Sequence, residues 1–306
     1  MILHYLKIAF RNLCKHKTQN IISIIGLAVG LLCFCVCIYC SRFVESTDHC
    51  FANHDRIAEL NLYDGKADRY FSGSPVPLAE DLRTWSLGET EAFSSVTYPR
   101  ERPYYVELSP EKTLPYELET IEIDTCYNKI FTPEMVAGHW KMASQSLNSV
   151  ILSQSMAIKI FGNAESAIGK HMTLMRRLNT SPESTPKTGG IVYTIQAVMK
   201  DIPLNNSLDF MQNIDMLTVN DSEGLLQSPK RHNMTGANTY VLLSPQTTCT
   251  DLEKQFSKRD YTYTLYDEAY TVTASGKCHP SGEQHFGYRA NDHQQRHHSV
   301  CADESG

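Results

Sequence analysis

The sequence predicts an α+β protein, in which a single N-terminal transmembrane helix precedes an exported domain of mixed strands and helices. Residues 21–40, IISIIGLAVGLLCFCVCIYC, contain no charged side chain. At about 1.5 Å per residue such a helix is roughly 30 Å long, which matches the hydrocarbon core of a bilayer. The rest of the chain alternates between strand-like and helix-like hydrophobic patterns, and it is long enough to bury a core.

The apolar segment is predicted to be an uncleaved anchor over residues 21–41. A core helix of a soluble protein usually has a polar stripe, and this segment has none. A cleaved signal peptide usually has an apolar region of about 7–15 residues followed by a small-x-small cleavage site. This segment is longer, and it ends in Tyr39 and Cys40 where small residues would be needed.

Residues 1–20 are predicted to form a cytoplasmic amphipathic helix at the membrane interface. They contain no acid, and their cations are Lys7, Arg11, Lys15 and Lys17. Because acidic residues soon follow the anchor, the positive-inside bias places the N-terminus in the cytoplasm and the main domain outside. The cations would face anionic headgroups of the lipid bilayer. A helical extension of the span into the cytosol would have the same periodicity, so both arrangements stay open.

The charge balance argues against a nucleic-acid partner. Subtracting the four N-terminal cations from the formal net charge of -6 leaves -10 for residues 21–306. Binding to phosphate groups requires clustered cations. We therefore expect no nucleic acid among the partners of this chain.

Residues 42–273 are predicted to form the main domain, and its middle part has the clearest pattern. Residues 149–152 are expected to form a short strand, with Ser153 as the N-cap of a helix over residues 154–161. Gly162 is expected to end that helix. The inward-facing residues of the helix are predicted to be Ala157, Ile160 and Phe161.

Further strands are predicted later in the domain. Residues 191–199 alternate in polarity, which predicts a strand. One face of this strand is predicted to carry Ile191, Tyr193, Ile195, Ala197 and Met199. Residues 239–243 and residues 261–273 have strand-like patterns as well. Residues 179–190 are rich in Ser, Thr, Pro and Gly, which predicts an exposed loop.

Four separated segments carry recognisable motifs. The chain opens with HYLKIAFRNLCKHKTQNIISIIGLAVGL at residues 4–31, and a D-x-x-F-x-x-x-x-R-I pattern follows the anchor at Asp48, Phe51, Arg56 and Ile57. Residues 149–170 contain an F-G turn and then an I-G-K, with Phe161, Gly162 and Gly169 at the motif positions. Residues 193–207 contain a K-D-x-P-x-N pattern formed by Lys200, Asp201, Pro203 and Asn205.

In combination, these segments resemble the permease subunits of MacB/FtsX-type ABC transporters, in the versions common in Bacteroidetes. The resemblance covers roughly residues 1–260. It implies a bacterial inner-membrane protein whose periplasmic core domain is an α+β unit with βαβ-like pieces and an inserted subdomain. It also implies mechanotransmission, in which a separate ATPase subunit binds ATP and a second permease copy is a partner. No cofactor is expected in this chain.

The C-terminal part departs from the family pattern. Such permeases continue into three further transmembrane helices, with the ATPase-contacting helix between the second and third, and no apolar span follows Cys40 here. Residues 274–306 are nearly devoid of aliphatic residues, which is typical of translation in a wrong frame or a degraded gene end. A His-rich metal-binding tail is the alternative. We therefore expect a non-transporting fragment of a permease.

Small residues within the anchor suggest a helix-packing face. Gly26 and Gly30 form a G-x-x-x-G pattern, which the resemblance would place against further permease helices. Cys33, Cys37 and Cys40 share a helix face that could pair helices or bind a soft metal. Cysteines are also ordinary packing residues in lipid, and no His or carboxylate lies nearby in the sequence, so no metal ligand is predicted.

Two other classes of function stay open. The first is a stand-alone membrane-anchored periplasmic binding or sensor protein. The second is an exported hydrolase, but neither G-x-S-x-G nor H-E-x-x-H occurs, so no catalytic residue is predicted. Residues 162–170, GNAESAIGK, differ from a P-loop in glycine spacing, and His171 stands where Ser or Thr should bind magnesium.

Overall fold

The computed structural model describes residues 17–71, 73–85, 87–109, 112–174, 190–208, 213–222, 224–228, 235–259, 262–265 and 268–276. The chain divides into two units, residues 1–48 and residues 49–306. The predicted interfacial cations Lys7, Arg11 and Lys15 lie outside the described residues, and so does the side chain of Lys17. Most of the loop at 179–190 and the tail from residue 277 onward also lie outside them.

The first unit contains one long helix, α1 (Lys17–Glu45). The most apolar 18-residue window of α1 has a mean hydropathy of 2.9, and its side chains are exposed. Among the described residues α1 is the one helix whose length and composition would allow it to cross a membrane. Gly26 and Gly30 lie on its open surface, since among the described residues no atom outside the local helix backbone lies within 4 Å of the position that a Cβ would occupy.

Fourteen strands are found within the described residues. They are β1 (Ile57–Asp64), β2 (Arg69–Phe71), β3 (Ser74–Pro75), β4 (Thr90–Thr97), β5 (Arg100–Ser109), β6 (Lys112–Ile123), β7 (Met135–Gly138), β8 (Ser149–Ser153), β9 (His171–Leu174), β10 (Ile191–Met199), β11 (Met216–Val219), β12 (Thr235–Leu243), β13 (Thr262–Leu265) and β14 (Glu268–Gly276). The helices of the main domain are α2 (Leu78–Arg83), α3 (Tyr127–Phe131), α4 (Trp140–Gln145), α5 (Gln154–Phe161) and α6 (Cys249–Lys258).

Six strands close into a ring in the order β6-β11-β8-β10-β9-β5. The ring closes because β11 pairs in parallel with β6 and antiparallel with β8. All six strands contribute to one hydrophobic cluster, which includes Tyr104, Leu118, Val150, Met172, Tyr193 and Met216. A cluster to which every strand of a closed ring contributes fills its interior, as in other small barrels.

Five further strands form an open sheet in the order β4-β12-β1-β14-β13. Strand β2 pairs with β1, β3 pairs with β12, and β7 pairs with the ring strand β10. Helices α2 and α6 cover one face and bury a cluster that contains Leu60, Leu82 and Phe256. A third cluster is formed by residues of α3, such as Tyr127 and Phe131, together with residues of the ring strands and of the open sheet. The ring is inserted between β4 and β12 in the chain, which confirms an α+β fold with an inserted subdomain.

The backbone pairing between the ring and the open sheet is limited to one residue pair of β4 and β6, Val96 with Ile123. The third cluster contains residues of both parts, such as Leu217 from the ring and Tyr240 from the open sheet. Apolar packing therefore joins the two parts, and side-chain hydrogen bonds near the Val96–Ile123 pair add to it.

The predicted one-sided pattern of β10 is wrong because the strand contains an irregularity. Its register against β8 shifts between Ile195 and Ala197. As a result Ile195 and Val198 pack in the ring interior, whereas Ala197 and Met199 pack in the third cluster. An extra residue in a strand moves the following side chains to the opposite face.

The predicted helix over residues 154–161 is confirmed with the same bounds. Its N-cap is Ser153, whose side chain accepts a hydrogen bond from the Met156 backbone N–H. Gly162 ends the helix with a φ of 87°, a left-handed conformation that glycine adopts at low cost. Strand β14 continues to Gly276, past the predicted domain boundary at 273.

Candidate functional site

The D-x-x-F-x-x-x-x-R-I motif fixes the start of β1. The ring of Phe51 is buried and packs edge-on against Phe131, with 4.9 Å between ring centroids. Arg56 donates hydrogen bonds to the Glu91 carboxylate at 2.7 Å and to the Leu243 carbonyl at 3.1 Å. Ile57 is buried as the first residue of β1. These contacts tie the entry of the main domain to the open sheet.

The remaining residue of that motif, Asp48, belongs to the first unit of the chain. It lies in the turn after α1 and has a φ of 66°. Asp is one of the few residue types other than glycine that adopt this conformation with some frequency.

The structure brings together the motif segments 149–170 and 193–207. Strands β8 and β10 pair in parallel. The Gly169 N–H donates to the Ile195 carbonyl at 2.8 Å, and the Ile195 N–H donates to the Lys170 carbonyl at 2.9 Å. The Asp201 carboxylate accepts a hydrogen bond from the Ser155 backbone N–H at 3.0 Å. The two motifs therefore form one βαβ-like piece, in which residues from each stabilise the other.

The other residues of these two motifs differ in burial and in the contacts that they make. Phe161 is partly buried against the ring cluster, and Gly169 has a φ of 77°. Lys200 forms an exposed ion pair with Glu134, with 3.0 Å between Nζ and Oε2. The Pro203 carbonyl accepts a hydrogen bond from a neighbouring side-chain amide.

The side-chain amide that donates to the Pro203 carbonyl belongs to Asn206, a residue that was not among the predicted motif residues. Asn206 is fully buried, whereas the predicted Asn205 is partly exposed. The Asn206 Nδ2 donates to Pro203 at 2.7 Å, and its Oδ1 accepts from the Leu208 N–H at 2.9 Å. Adjacent asparagines cannot be ranked from the sequence without knowledge of which one faces inward.

Asp124 connects the ring to the open sheet. It follows β6, and its carboxylate accepts hydrogen bonds from the Ser94 hydroxyl at 2.8 Å and the Ser95 N–H at 2.9 Å, both on β4. It also accepts from the Cys126 N–H at 2.9 Å and from the Arg83 guanidinium on α2. One carboxylate thus holds together a ring strand, a sheet strand and the helix that covers the sheet.

A cleft of about 190 Å³ lies beside this junction. Its lining comes from both parts of the domain and includes Glu80, Arg83, Glu122, Asp124, Asp221 and Gln227. Two of these carboxylates are buried, since Glu122 is 4% exposed and Asp221 is 1% exposed. Buried carboxylates are rare unless they are hydrogen-bonded or paired.

The partners of the two buried carboxylates differ. Glu122 accepts hydrogen bonds from the Leu225 N–H at 2.6 Å and the Leu226 N–H at 2.9 Å. Asp221 accepts from the Tyr193 hydroxyl at 2.9 Å, and burial together with this carboxylate raises the pKa of Tyr193. Neither pattern resembles a set of metal ligands, and no metal-binding group was found among the described residues.

Burial raises the pKa of Glu122 to about 7. That value is the net result, in which the Asp221 carboxylate also acts to raise the pKa, whereas the amide hydrogen bonds from Leu226 and Leu225 and the charge of Arg102 act to lower it. Desolvation disfavours the charged form of a carboxyl group, and it outweighs the hydrogen bonds here. Glu122 can therefore gain or lose a proton near neutral pH.

Sequence reasoning missed this cluster. Glu122 and Asp124 alternate with Ile121 and Ile123 in a strand pattern. Two carboxylates beside aliphatic residues were the sequence feature that could have indicated this cluster. Asp221 lies far away in the sequence and is brought near by the pairing of β11 with β6.

No protein-family model matches the sequence, and no curated protein matches it. Similar folds occur among solved structures. One is a domain assigned to a permease protein of Porphyromonas gingivalis, which is 20% identical over 76% of this chain and 95% of that chain, with a TM-score of 0.53.

Two other solved structures are less similar. The periplasmic region of MacB from Actinobacillus actinomycetemcomitans is 12% identical over 75% of this chain and 91% of that chain, with a TM-score of 0.48. The extracellular domain of the noncanonic ABC-type transporter YknZ from Gram-positive bacteria is 12% identical over 72% of this chain and 100% of that chain, with a TM-score of 0.41. The main domain of this chain therefore shares the fold of the permease domain from Porphyromonas gingivalis.

Proposed function

We propose that this chain is a membrane subunit of a MacB/FtsX-type ABC transporter, and that it relays motion between the membrane and its periplasmic domain. In this proposal the chain lies in a bacterial inner membrane, with the N-terminus in the cytoplasm. A separate ATPase subunit binds ATP, and a second copy of the permease completes the assembly. The fold of the main domain and the apolar helix α1 support this assignment.

The observation that carries the proposal is the way the chain enters and leaves the domain. Only residues 46–56 separate α1 from β1. Strand β1 pairs antiparallel with β14, and Ala58 lies opposite Gly276. The two ends of the domain therefore lie side by side. A displacement applied at this end would act directly on two hydrogen-bonded strands of the sheet.

The contacts within the domain provide a route from this end to the ring. Strand β1 pairs with β12, and β12 pairs with β4. From β4 the Asp124 hydrogen bonds lead to the ring strand β6. Coupling between distant sites is carried by such chains of packed and hydrogen-bonded elements.

Co-purification from membranes of the source organism tests the transporter assignment. The resemblance does not extend to the family's ATPase-contacting helix, so we expect the ATPase to be recovered through the second permease copy. A tagged chain in mild detergent should carry that permease together with an ABC ATPase that hydrolyses ATP. The matched control is the same chain with residues 18–41 replaced by an unrelated transmembrane helix, which keeps the anchor and the domain. We expect the control to lose the ATPase.

Recovery of the chain without an ATPase would contradict the proposal, and so would recovery of the same ATPase with the control. Saturable binding of a small molecule by the chain alone would then favour the anchored binding or sensor protein.

A further inference from the structure

The residues Gly224–Ser228 form a compact turn that covers Glu122. The turn is held by backbone hydrogen bonds from Gly224 to Asp221 at 3.1 Å, from Gln227 to Gly224 at 3.3 Å and from Ser228 to Leu225. Among the described residues, the Glu122 carboxylate accepts hydrogen bonds only from the two amides of Leu225 and Leu226. The turn thus lies against this side chain and provides both of these donors.

The fit between the turn and the carboxylate is close. A Cβ atom added to Gly224 would lie 2.1 Å from Glu122 Oε1. Glycine therefore allows the backbone of the turn to lie directly on the carboxyl group. Any larger residue would force the turn and the carboxylate apart.

We propose that Gly224–Ser228 is a proton-responsive cover of the cleft, closed over Glu122 when this side chain is neutral and displaced when it ionises. Leu226 and Gln227 belong to the cleft lining, so displacement of the turn would change the cleft between the ring and α2. This inference does not depend on the transporter proposal.

The charges around Glu122 determine the direction of the response. From the elements packed around it, the facing groups are Asp221 after β11, Arg100 and Arg102 on β5, Asp124 after β6, and Glu80 and Arg83 on α2. Within the described part of the chain, no cation forms an ion pair with Glu122. Burial and the Asp221 carboxylate oppose its ionisation, and together they outweigh the two amide hydrogen bonds and the charge of Arg102, which favour it. The ionised form therefore gains more from water than the neutral form does.

The pKa of Glu122 agrees with this direction, since burial raises it to about 7 in the closed arrangement. A hydrated glutamate in an open arrangement has its ordinary, lower pKa. The closed form then binds the proton more tightly than the open form. By linkage, a rise in pH favours opening over the interval between the two values.

Amide hydrogen exchange in the full-length chain in lipid nanodiscs tests this proposal. After correction for intrinsic exchange rates, we expect the opening equilibrium of residues 224–228 to rise by at least about tenfold between pH 5 and pH 8. Amides in β8 and β10 report on global unfolding and should not follow this change. Constant protection of residues 224–228 across the pH range would overturn the proposal.

Two variants identify the titrating group. Glu122→Gln is neutral at every pH, and we expect its exchange at residues 224–228 to be independent of pH. Gly224→Ala should separate the turn from the carboxylate and give low protection at every pH. Glu117→Gln, on the exposed face of the same strand β6, is the control and should behave like the unmodified chain. Retention of the full pH response in Glu122→Gln would overturn the assignment to Glu122.

Discussion

The Asp201 carboxylate accepts a hydrogen bond from the Ser155 backbone N–H at 3.0 Å, and so caps a helix from a distant segment of the chain. The first amides of a helix have no partner within the helix. Ser153 accepts from the Met156 N–H of the same turn. Helix α5 therefore begins with two amides satisfied, one by its own N-cap and one by the K-D-x-P-x-N motif.

Replacing Asp201 should destabilise the main domain by removing this cap. We expect Asp201→Ala to lower the free energy of unfolding by about 1 kcal/mol, a typical cost for a lost helix-capping acceptor. Asp201→Asn keeps a side-chain oxygen and should cost less. Urea unfolding of the purified chain, followed by tryptophan fluorescence, measures both. Equal stability of Asp201→Ala and the unmodified chain would contradict the capping role.

Replacing Asp124 should have a larger effect, because four donors lose their acceptor. We expect Asp124→Ala to lower the free energy of unfolding by about 2 kcal/mol or more, since unsatisfied donors are costly where water is excluded. Asp55→Ala is the control, because its carboxylate is 80% exposed. If the two variants have the same stability in urea unfolding, Asp124 does not hold the junction.

Lys200 should contribute little to stability, although it belongs to a motif. Its ion pair with Glu134 is exposed, with 62% and 71% of the two side chains accessible. Exposed pairs of this kind typically contribute about 0–1 kcal/mol. We therefore expect Lys200→Ala to leave the free energy of unfolding nearly unchanged. A loss above about 2 kcal/mol would show that Lys200 has a structural role beyond this pair.

The free energy of unfolding should depend on the protonation of Glu122. Its pKa is about 7 in the folded protein, against an ordinary value of 4.5. Between these values the folded protein binds a proton that the unfolded chain has released. Stability is therefore lost as pH rises through this interval, by about 3 kcal/mol from this group, and levels off above it.

Comparison with Glu122→Gln isolates that contribution. The stability of the variant relative to the unmodified chain should increase as pH rises from about 5 to about 8. Urea unfolding at several pH values measures this difference. A constant difference across the range would mean that Glu122 does not titrate with a raised pKa.

Much of the middle of the domain follows from local sequence. Helix α5 has a Ser N-cap, an apolar stripe and a terminal glycine, so its bounds could be predicted to the residue. The side-chain directions along β10 could not be predicted, because the residue types do not indicate the irregularity between Ile195 and Ala197. A strict period-two interpretation therefore placed Ala197 and Met199 on the same face of β10 as Ile195, whereas they lie on the opposite face.

Long-range relationships were the part that the sequence could not supply. The closing of the ring depends on β11 pairing with both β6 and β8, which are far apart in the chain. That pairing brings Asp221 near Glu122. Motif residues such as Asp201 could be identified by resemblance, but their roles became clear only from their partners, as with Ser155.

Labelling of the native cysteines tests the central proposal, that helix α1 anchors the main domain outside the cytoplasm. Cys50 is exposed on the main domain, and Cys14 lies in the segment predicted to be cytoplasmic. A membrane-impermeant maleimide is added to intact spheroplasts, and the modified cysteines are identified by peptide mapping. We predict that Cys50 is modified in intact spheroplasts and that Cys14 is modified only after lysis. Modification of Cys14 but not Cys50 before lysis would contradict the claim.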